Sequence, residues 1–353
     1  MNAQEAIALL QQLIAIPSFS KEEDKTADVL EGFLNEKGGK VNRSGNNVWV
    51  RNDHYDPQKP TLLLNSHHDT VRPNAGYSKD PFAPQVEGGK LYGLGSNDAG
   101  GSLVSLIATF LHFKSATNLN FNILLAATAE EEISGKNGIE SIIPELAKID
   151  FAIVGEPTLM QLAIAEKGLM VLDCYVHGKA GHAAREEGEN AIYKAWKDIE
   201  WFRTFRFEKE SVMLGKVKMQ VTQIEAGSQH NVVPDSCHFV VDVRATDAYS
   251  LEDTLKIIQD HVDCEVKPRS VRLQPSGIDK GHPILEVAKE LDIETYGSPT
   301  LSDQALMAWP SVKIGPGDSA RSHTADEYIG LDEIEKGIEG YVKIIDELNE
   351  IWK

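Results

Sequence analysis

Side chains that can bind metal ions follow apolar, strand-like runs at five places in the chain. They are His67 and Asp69 after 61–65, Asp98 after 91–92 and a glycine-rich turn, Glu131 and Glu132 after 121–128, Glu156 after 151–155, and His323 after 311–315. The carboxyl ends of the strands in an open α/β sheet share one edge, where ligands bind. We therefore expect these side chains to converge in space. Two histidines and several carboxylates at one place predict a site for a divalent metal, most simply zinc, and hydrolytic chemistry.

The composition is typical of a globular protein of the reducing cytoplasm. The 353 residues are enough for two domains with separate cores. A net charge of −19 disfavours nucleic acid and anionic membranes as partners. No apolar run approaches the ~20 residues of a membrane span, and residues 1–13 lack the features of a signal peptide. The three cysteines have no CxxC spacing, which fits a reducing compartment better than a disulfide framework.

The order of the elements expected near the N-terminus indicates an α/β protein. The helices expected over 2–15, 20–37, 99–113 and 137–147 are interspersed with strands near 47–51, 61–65, 121–128 and 151–155. That succession is typical of a mostly parallel sheet. Ser20 and Glu23 have the spacing of a capping box, so we expect them to open the second helix.

The pattern changes after Glu166. A strand at 168–177, a helix at 190–205, strands near 218–226 and 236–245, a helix at 250–261 and a strand at 265–273 follow in turn. This βαββαβ order is that of the ferredoxin-like unit. The first pattern then resumes with a helix from about residue 282 and the strand at 311–315. We therefore expect a catalytic domain over 1–166 and 278–353, with a lid domain over 167–277 inserted into it.

Five short segments, in this order, resemble the M20 family of di-zinc peptidases and deacylases. They are His67-His68-Asp69, the turn with Asp98, Glu130-Glu131-Glu132, Gly155-Glu156-Pro157-Thr158 and His323-Thr324-Ala325-Asp326-Glu327. The resemblance runs nearly end to end and includes Ile16-Pro17-Ser18. It implies a mostly parallel-sheet catalytic domain with a ferredoxin-like lid, and two Zn²⁺ ions for which Co²⁺ or Mn²⁺ could substitute.

The resemblance also implies a role for each of these residues. The implied ligands are His67, Asp98 and Glu156 for one ion and Asp98, Glu132 and His323 for the other, with Asp98 bridging the two. Asp69 would orient His67 and Glu131 would be the general base. A cis peptide bond is expected after Asp98. By the alternation of a strand, His68 would point away from the site, and Glu130 stands where aspartate is more common in the family.

A second group of candidate residues lies in the lid domain. The segment 178–184 around His182 resembles the family's lid motif, whose histidine stabilises the tetrahedral intermediate, often from the neighbouring subunit. Asn231 and Arg244 resemble residues that hold the substrate and its carboxylate, a task that suits the bidentate geometry of a guanidinium. Arg185 departs from the proline of many relatives. We therefore expect a homodimer formed through the lid, the alternative being a lid that closes over its own site.

Together these features predict a zinc-dependent amidohydrolase that removes an acetyl or succinyl group from an Nα-acyl amino acid. Segments 298–304 and 315–319 look most like those of arginine-biosynthetic deacylases, which favours ornithine or citrulline as the amino acid. A metallodipeptidase, a carboxypeptidase or a general aminoacylase is the alternative within the same class. A metal-dependent binding protein without catalysis would not need Glu131. A structural metal would need closed Cys/His sites, which the cysteines are not placed to form.

Overall fold

The computed structural model describes residues 1–352, which divide into two compact units. The large unit comprises Met1–Ile164, Ile278–Tyr296 and the residues from Ser302 onward, and the small unit comprises Ala165–Gly277 and Gly297–Leu301. The sequence placed residues 297–301 in the catalytic domain, but in the structure they belong to the small unit. The carbonyl of Ser298 accepts a hydrogen bond from the N–H of Lys167 at 3.2 Å, so this short segment is attached to the inserted domain.

Helices and strands alternate along both units. Within the described chain the α-helices are α1 (Ala3–Ile14), α2 (Asp24–Glu36), α3 (Gly101–Phe113), α4 (Ile139–Ile142), α5 (Ala191–Thr204), α6 (Leu251–Gln259), α7 (Pro283–Glu290) and α8 (Leu331–Ile351). The strands are β1 (Val41–Ser44), β2 (Asn47–Arg51), β3 (Thr61–His67), β4 (Gln85–Glu87), β5 (Lys90–Tyr92), β6 (Asn122–Thr128), β7 (Phe151–Val154), β8 (Leu162–Glu166), β9 (Gly168–His177), β10 (Gly181–His182), β11 (Lys218–Ala226), β12 (Val232–Val233), β13 (Ser236–Ala245), β14 (Glu265–Pro268), β15 (Ser276–Gly277), β16 (Thr295–Ser298), β17 (Ser311–Lys313) and β18 (Tyr328–Gly330).

The large unit is built on a mixed, mostly parallel sheet in the order β1-β2-β6-β3-β7-β17-β8. The central pairs β6–β3, β3–β7 and β7–β17 are parallel, whereas β2 and β8 pair antiparallel with their neighbours. Every residue of β3, β6 and β7 is buried, as expected of parallel strands covered on both faces. Leu62 and Leu64 pack into the core that contains α1, α3 and α8, while Leu63 packs into the core beside α4.

Close packing of glycines sets the start of the buried helix α3. The sequence predicted a helix from residue 99, but Ser96–Gly100 forms a separate turn and α3 begins at Gly101. A Cβ atom on Gly101 would lie 2.0 Å from Cδ1 of Ile329, and one on Gly100 would lie 2.4 Å from the carbonyl oxygen of Gly95. The glycines therefore let this turn and helix lie directly against their neighbours, which fixes the position of Asp98 within the turn.

Some local predictions were wrong. Helix α2 begins at Asp24, and Glu23 makes no side-chain capping bond, so the predicted capping box of Ser20 and Glu23 does not form. The last strand predicted in the lid, 265–273, ends at Pro268. Helix α8, with 21 residues the longest of the chain's described part, was not predicted.

The small unit contains an antiparallel four-stranded sheet in the order β11-β13-β9-β14. With α5 following β9 and α6 following β13, this is the βαββαβ arrangement, and the predicted fold class is confirmed. The inward side chains of β9 and β13, including Leu172 and Phe239, pack with Phe202 of α5 and Ile258 of α6 into a core of their own. A separate two-stranded sheet pairs β10 with β12. No helix between residues 1 and 352 is long and apolar enough to cross a membrane.

Candidate metal centre and active site

Neighbouring parallel strands carry most of the candidate site. His67 ends β3, the turn with Glu131 and Glu132 follows β6, and Glu156 lies two residues beyond β7. Because β6, β3 and β7 are adjacent and parallel, their carboxyl ends lie side by side. The turn with Asp98 and the loop with His323 complete the group. The structure thus brings together all seven candidate residues of the large unit.

Asp98 lies between the two histidine rings. Its Oδ1 is 3.3 Å from Nε2 of His67, and its Oδ2 is 3.7 Å from Nε2 of His323. Nε2 of His323 is also 2.9 Å from a carboxylate oxygen of Glu132. One oxygen of Asp98 therefore faces each histidine, which is the orientation that a carboxylate bridging two ions needs. The peptide bond between Asp98 and Ala99 is cis, as the family resemblance implied.

The same nitrogen of His67 also faces two glutamates. Its Nε2 is 3.8 Å from Oε1 of Glu156 and 3.9 Å from Oε2 of Glu131. Potential ligand atoms of His67, Glu131 and Glu156 lie within 4.8 Å of one another, as do those of His67, Asp98 and Glu132. Glu131, the predicted base, therefore lies about as close to Nε2 of His67 as the predicted ligand Glu156 does. Which carboxylate binds and which accepts a proton stays a prediction.

Asp69 anchors the site from behind. Its Oδ1 accepts a hydrogen bond from the N–H of Glu131 at 3.0 Å, and its Oδ2 accepts one from the N–H of Glu132 at 3.2 Å. Nδ1 of His67 lies 3.0 Å from the Asp69 carbonyl and 3.4 Å from its Oδ1. Since that nitrogen is held by Asp69, Nε2 is the nitrogen left to face the cluster. Such a partner fixes the orientation of a metal-binding imidazole.

Burial and crowded negative charge perturb the pKa values of the cluster. Burial raises the pKa of Glu131 well above its usual range, and the carboxylate of Glu156 adds to the effect. Burial likewise raises the pKa of Glu156 to about 8. The hydrogen bond to Glu132 raises the pKa of His323 to about 9. Burial opposes the protonation of His67, but the neighbouring carboxylates, with Glu131 foremost, outweigh it and raise its pKa.

The chemistry of this donor set fits divalent metal ions. Five carboxylates share a largely buried space with two imidazole rings, so the cluster has more negative than positive charge. A bound dication would be the largest charge in such a site and would offset the repulsion. Imidazole nitrogen and carboxylate oxygen together suit zinc, and also manganese and cobalt.

Two neighbours in the motifs have structural contacts instead. His68 is buried, with Nε2 2.9 Å from the carbonyl of Asn46 and Nδ1 2.9 Å from the hydroxyl of Thr26. Burial lowers its pKa to about 4, so the ring is neutral and turned away, as the strand alternation predicted. The Glu130 carboxylate accepts a hydrogen bond from the side-chain amide of Asn137 at 2.8 Å, which closes the turn after it.

Two further carboxylates belong to the site but had no functional signal of their own in the sequence. Glu327 accepts hydrogen bonds from the N–H groups of Gly95, Asn97 and Asp98 at 3.1, 2.8 and 2.9 Å. Asp303 accepts one from the hydroxyl of Thr128 at 2.7 Å, and burial raises its pKa to about 6. Both residues lay in segments quoted for the resemblance, but their partners are far away along the chain.

The small unit holds its three candidates at two separate places. His182 pairs with Val232 in the two-stranded sheet. The carbonyl of Asn231 accepts the N–H of Ala183 at 3.0 Å, so His182 and Asn231 are neighbours. Arg244 lies near the far end of β13, where its guanidinium donates to both oxygens of Asp242 at 2.9 and 3.1 Å. The structure does not bring Arg244 beside the other two within the unit.

The whole chain resembles known metallohydrolases. The family model "Peptidase family M20/M25/M40" matches residues 63–347. The chain belongs to this family. It is therefore an M20 metallohydrolase, a metal-dependent enzyme class that fits the cluster described above.

The names of several relatives of this chain refer to different substrates. It is 27% identical to acetylornithine deacetylase of Proteus mirabilis, covering 93% of each chain. It is 26% identical to succinyl-diaminopimelate desuccinylase of Corynebacterium glutamicum, covering 93% of this chain and 92% of the relative. The structure of aminopeptidase PepT from Bacillus cereus superposes with a TM-score of 0.78 at 19% identity, over 99% of both chains. At that identity the structural match supports the fold alone.

Metal binding to the M20 chain should release protons and weaken in acid. Metal ligands must be deprotonated, while the metal-free protein holds protons on Glu156, with a pKa of about 8, and His323, with a pKa of about 9. Lowering the pH from 8 to 6 should therefore weaken Zn²⁺ binding by about 50-fold for the Glu156 proton alone. Calorimetry in two buffers with different ionisation enthalpies measures the protons released. Equal affinity at both pH values, without proton release, would contradict the assignment of these two residues as ligands.

Proposed function

We propose that this protein is a zinc-dependent amidohydrolase that removes an acetyl or succinyl group from an acylated amino acid, with ornithine or citrulline favoured. The observation that carries the proposal is Glu131, a largely buried carboxylate additional to the proposed ligands and 3.9 Å from Nε2 of His67. A protein that only bound metal would gain nothing from an extra buried negative charge at that place.

The proposed reaction assigns each residue of the large unit a task. His67, Asp98 and Glu156 would hold one zinc ion, and Asp98, Glu132 and His323 the other. When bound, the two ions would polarise the scissile carbonyl and make the attacking water more acidic. Glu131 takes the proton of that water and passes it to the leaving amine. Burial, together with the neighbouring carboxylates, raises the pKa of Glu131 and so favours proton uptake, and Asp69 holds its backbone in place.

His182 is suited to stabilise the oxyanion of the tetrahedral intermediate. Its Nδ1 accepts a hydrogen bond from the N–H of Ala184 at 3.1 Å, so in the neutral ring the proton is on Nε2. The ring is exposed, and Nε2–H is available to donate. Asn231, next to His182 in the structure, would bind the substrate. Arg244 would bind the substrate's α-carboxylate, which would replace Asp242 as the partner of its guanidinium.

The separation of these residues supports a homodimer with shared sites. The two-stranded sheet with His182 lies beyond the start of β13. The eight residue steps from Ser236 to Arg244 along β13 span about 26 Å at 3.3 Å each. A small acylated amino acid cannot contact both places on one small unit. We therefore propose that Arg244 comes from the subunit that binds the metal and His182 from its partner.

An exposed apolar face on the small unit suits such a dimer. The solvent-exposed fraction is 79% for Tyr193 and 68% for Trp196 on α5, and 54% for Ile224 on β11. β11 is an edge strand, whose free hydrogen-bonding groups can pair with a second copy. Self-complementary pairing about a twofold axis is the commonest way that such a face is covered.

A panel of amides tests the substrate. The names of the curated relatives describe amides of diamino acids, which supports an acylated amino acid here too. Acetyl- and succinyl-ornithine, acetylcitrulline, other acetylated amino acids and dipeptides should be offered to the zinc-loaded protein. We expect the highest kcat/KM with acylated ornithine or citrulline. A preference for dipeptides would support the metallodipeptidase, and binding without turnover would support a metal-dependent binding protein.

Substitutions at the adjacent glutamates should separate the base from the ligand. Glu131→Gln should retain both metals and lose about 10²–10⁴-fold in kcat, the usual contribution of a general base. Glu132→Ala should lose metal, because it removes a carboxylate 2.9 Å from Nε2 of His323. Elemental analysis beside turnover measures both effects. If Glu131→Gln loses metal while Glu132→Ala retains it, the two roles are reversed.

Arg244→Ala should weaken the binding of substrates with a free α-carboxylate. Loss of one partner of a buried charge pair costs about 2–5 kcal/mol, so KM should rise about 30-fold or more. The corresponding α-amides should be little affected. Arg269→Ala is a matched control, since Arg269 also pairs with an aspartate on this sheet, Asp173, but has no proposed role. Equal losses on acid and amide would show that Arg244 does not recognise the carboxylate.

Mixing two inactive variants tests the shared site. His182→Ala and Glu131→Gln damage different parts of the proposed site. In a heterodimer one of the two sites would receive intact residues from both subunits, so the mixture should regain activity. Mass spectrometry must first show that subunits exchange. An exchanged mixture that stays inactive would show that each subunit uses its own His182.

A further inference from the structure

A row of polar side chains at the start of α2 faces the back of the active site. Ser20, Glu23 and Thr26 are three residues apart. Glu23 and Thr26 are buried, and Ser20 is partly buried. Lys21 and Lys25, which lie between them, are exposed. Each member of the row contacts a different residue of the His67–Asp69 or Glu130–Glu132 motif. The three side chains therefore lie on the side of this segment that faces the site.

Ser20 contacts the anchor of the site. Its hydroxyl donates a hydrogen bond to Oδ2 of Asp69 at 2.7 Å. The same oxygen accepts the N–H of Glu132 at 3.2 Å. Without the hydroxyl of Ser20, that oxygen keeps a single longer bond, and the Asp69 carboxylate is held mainly through Oδ1, which accepts the N–H of Glu131 at 3.0 Å.

Glu23 holds the first residue of the same turn. Its carboxylate accepts the N–H of Glu130 at 3.2 Å, the N–H of Lys21 at 2.6 Å and the side-chain amide of Asn46 at 2.9 Å. Oε1 receives both backbone bonds. The carboxylate therefore joins the start of α2 to the residue directly before Glu131.

Thr26 supports the strand end that carries His67. The carbonyl of Asn46 can only accept, so Nε2 of His68 carries the ring proton, and Nδ1 faces the Thr26 hydroxyl at 2.9 Å. The single proton of that hydroxyl is shared between Nδ1 and the Glu23 carbonyl, which lies 3.0 Å from the same oxygen. Polar partners at both nitrogens hold the ring of His68 in one orientation, which supports the chain between His67 and Asp69.

We propose that Ser20, Glu23 and Thr26 are positioning residues of the metal site, acting through Asp69, Glu130 and His68 on the ligands and the base. The inference rests on the proposed roles of Asp69, Glu131 and Glu132. It concerns residues before the family match, which begins at residue 63. It also explains why the capping box of Ser20 and Glu23 does not form, since both side chains are bonded to the site.

Metal affinity tests the proposal without any choice of substrate. Outer partners of metal ligands are worth about 10–100-fold in affinity or activity. Ser20→Ala should therefore weaken Co²⁺ binding, followed by its visible absorption and chelator competition, by about tenfold or more. Ser20→Thr, which keeps a hydroxyl, should restore most of that affinity. Lys25→Ala, an exposed neighbour in the same turn, should bind like the wild type.

Turnover gives a second readout with the best substrate of the panel. Ser20→Ala should lower kcat by about tenfold with KM little changed, because the side chain acts behind the reacting groups. Glu23→Gln, which keeps the shape but presents an N–H₂ group towards donors, should change metal affinity and kcat in the same direction. A wild type that turns over no panel substrate would overturn the proposed function, while the Co²⁺ affinities would still decide the positioning role.

Two outcomes would contradict the positioning role. If Ser20→Ala and Glu23→Gln lower the melting temperature but bind Co²⁺ like Lys25→Ala, the row is merely structural and the proposal is wrong. The proposal is also wrong if Ser20→Thr is as impaired as Ser20→Ala, because the hydroxyl bond would then not be the cause.

Discussion

Mutual repulsion of buried carboxylates is the constraint on which the large unit depends. Asp69, Asp98, Glu131, Glu132 and Glu156 lie at one edge of the sheet beside two imidazole rings, with Asp69 and Glu156 buried and the other three carboxylates partly buried. Like charges in a low-dielectric interior repel strongly, and an unpaired buried charge is costly. The fold offsets this partly with backbone N–H groups, such as those that Asp69 receives from Glu131 and Glu132. The remaining negative charge is what makes the cluster a site for dications.

The same constraint explains how loops distant in sequence are fixed around the cluster. Two consecutive carboxylates after His323 face in different directions. Asp326 accepts the N–H groups of Ser78 and Lys79, both at 2.9 Å, and Glu327 accepts three N–H groups of the turn with Asp98. The loop with His323 is thus bonded on two sides. Burial raises the pKa of Glu327 to about 8, yet its three donors hold it in one orientation. Precise placement of ligands on loops requires supporting bonds of this kind.

In the proposed function, the small unit would contact a small substrate from two directions. Most of the length of β13, in the four-stranded sheet, separates Arg244 from the two-stranded sheet with His182 and the adjacent Asn231. A rigid sheet cannot bring those groups together by a side-chain movement. The proposed dimer would place them at one substrate by using two copies of the same unit, which makes assembly part of the active site.

Local periodicity was enough to predict the mostly parallel sheet of the large unit, the βαββαβ succession of the small unit and the position of the candidate ligands after strand ends. Apolar runs such as 61–65 and 121–128 report burial on both faces of a strand, and the residue that follows such a run must leave the sheet at its edge. Alternation over 168–177 likewise predicted β9 over the same residues. These features depend on neighbours within a few residues, which is why the sequence alone contains them.

The long-range pairs were decided only by the tertiary structure. Ser20 and Glu23 had the spacing of a capping box, but the hydroxyl of Ser20 is bonded to Asp69, 49 positions away. Glu327 supports Asp98 across 229 positions, and residues 297–301 pack with the small unit although they follow it in the chain. Local spacing describes which bonds a side chain could make. A buried donor or acceptor binds the partner that folding brings to it, because the free-energy cost of an unsatisfied buried polar group exceeds the net gain from a typical hydrogen bond.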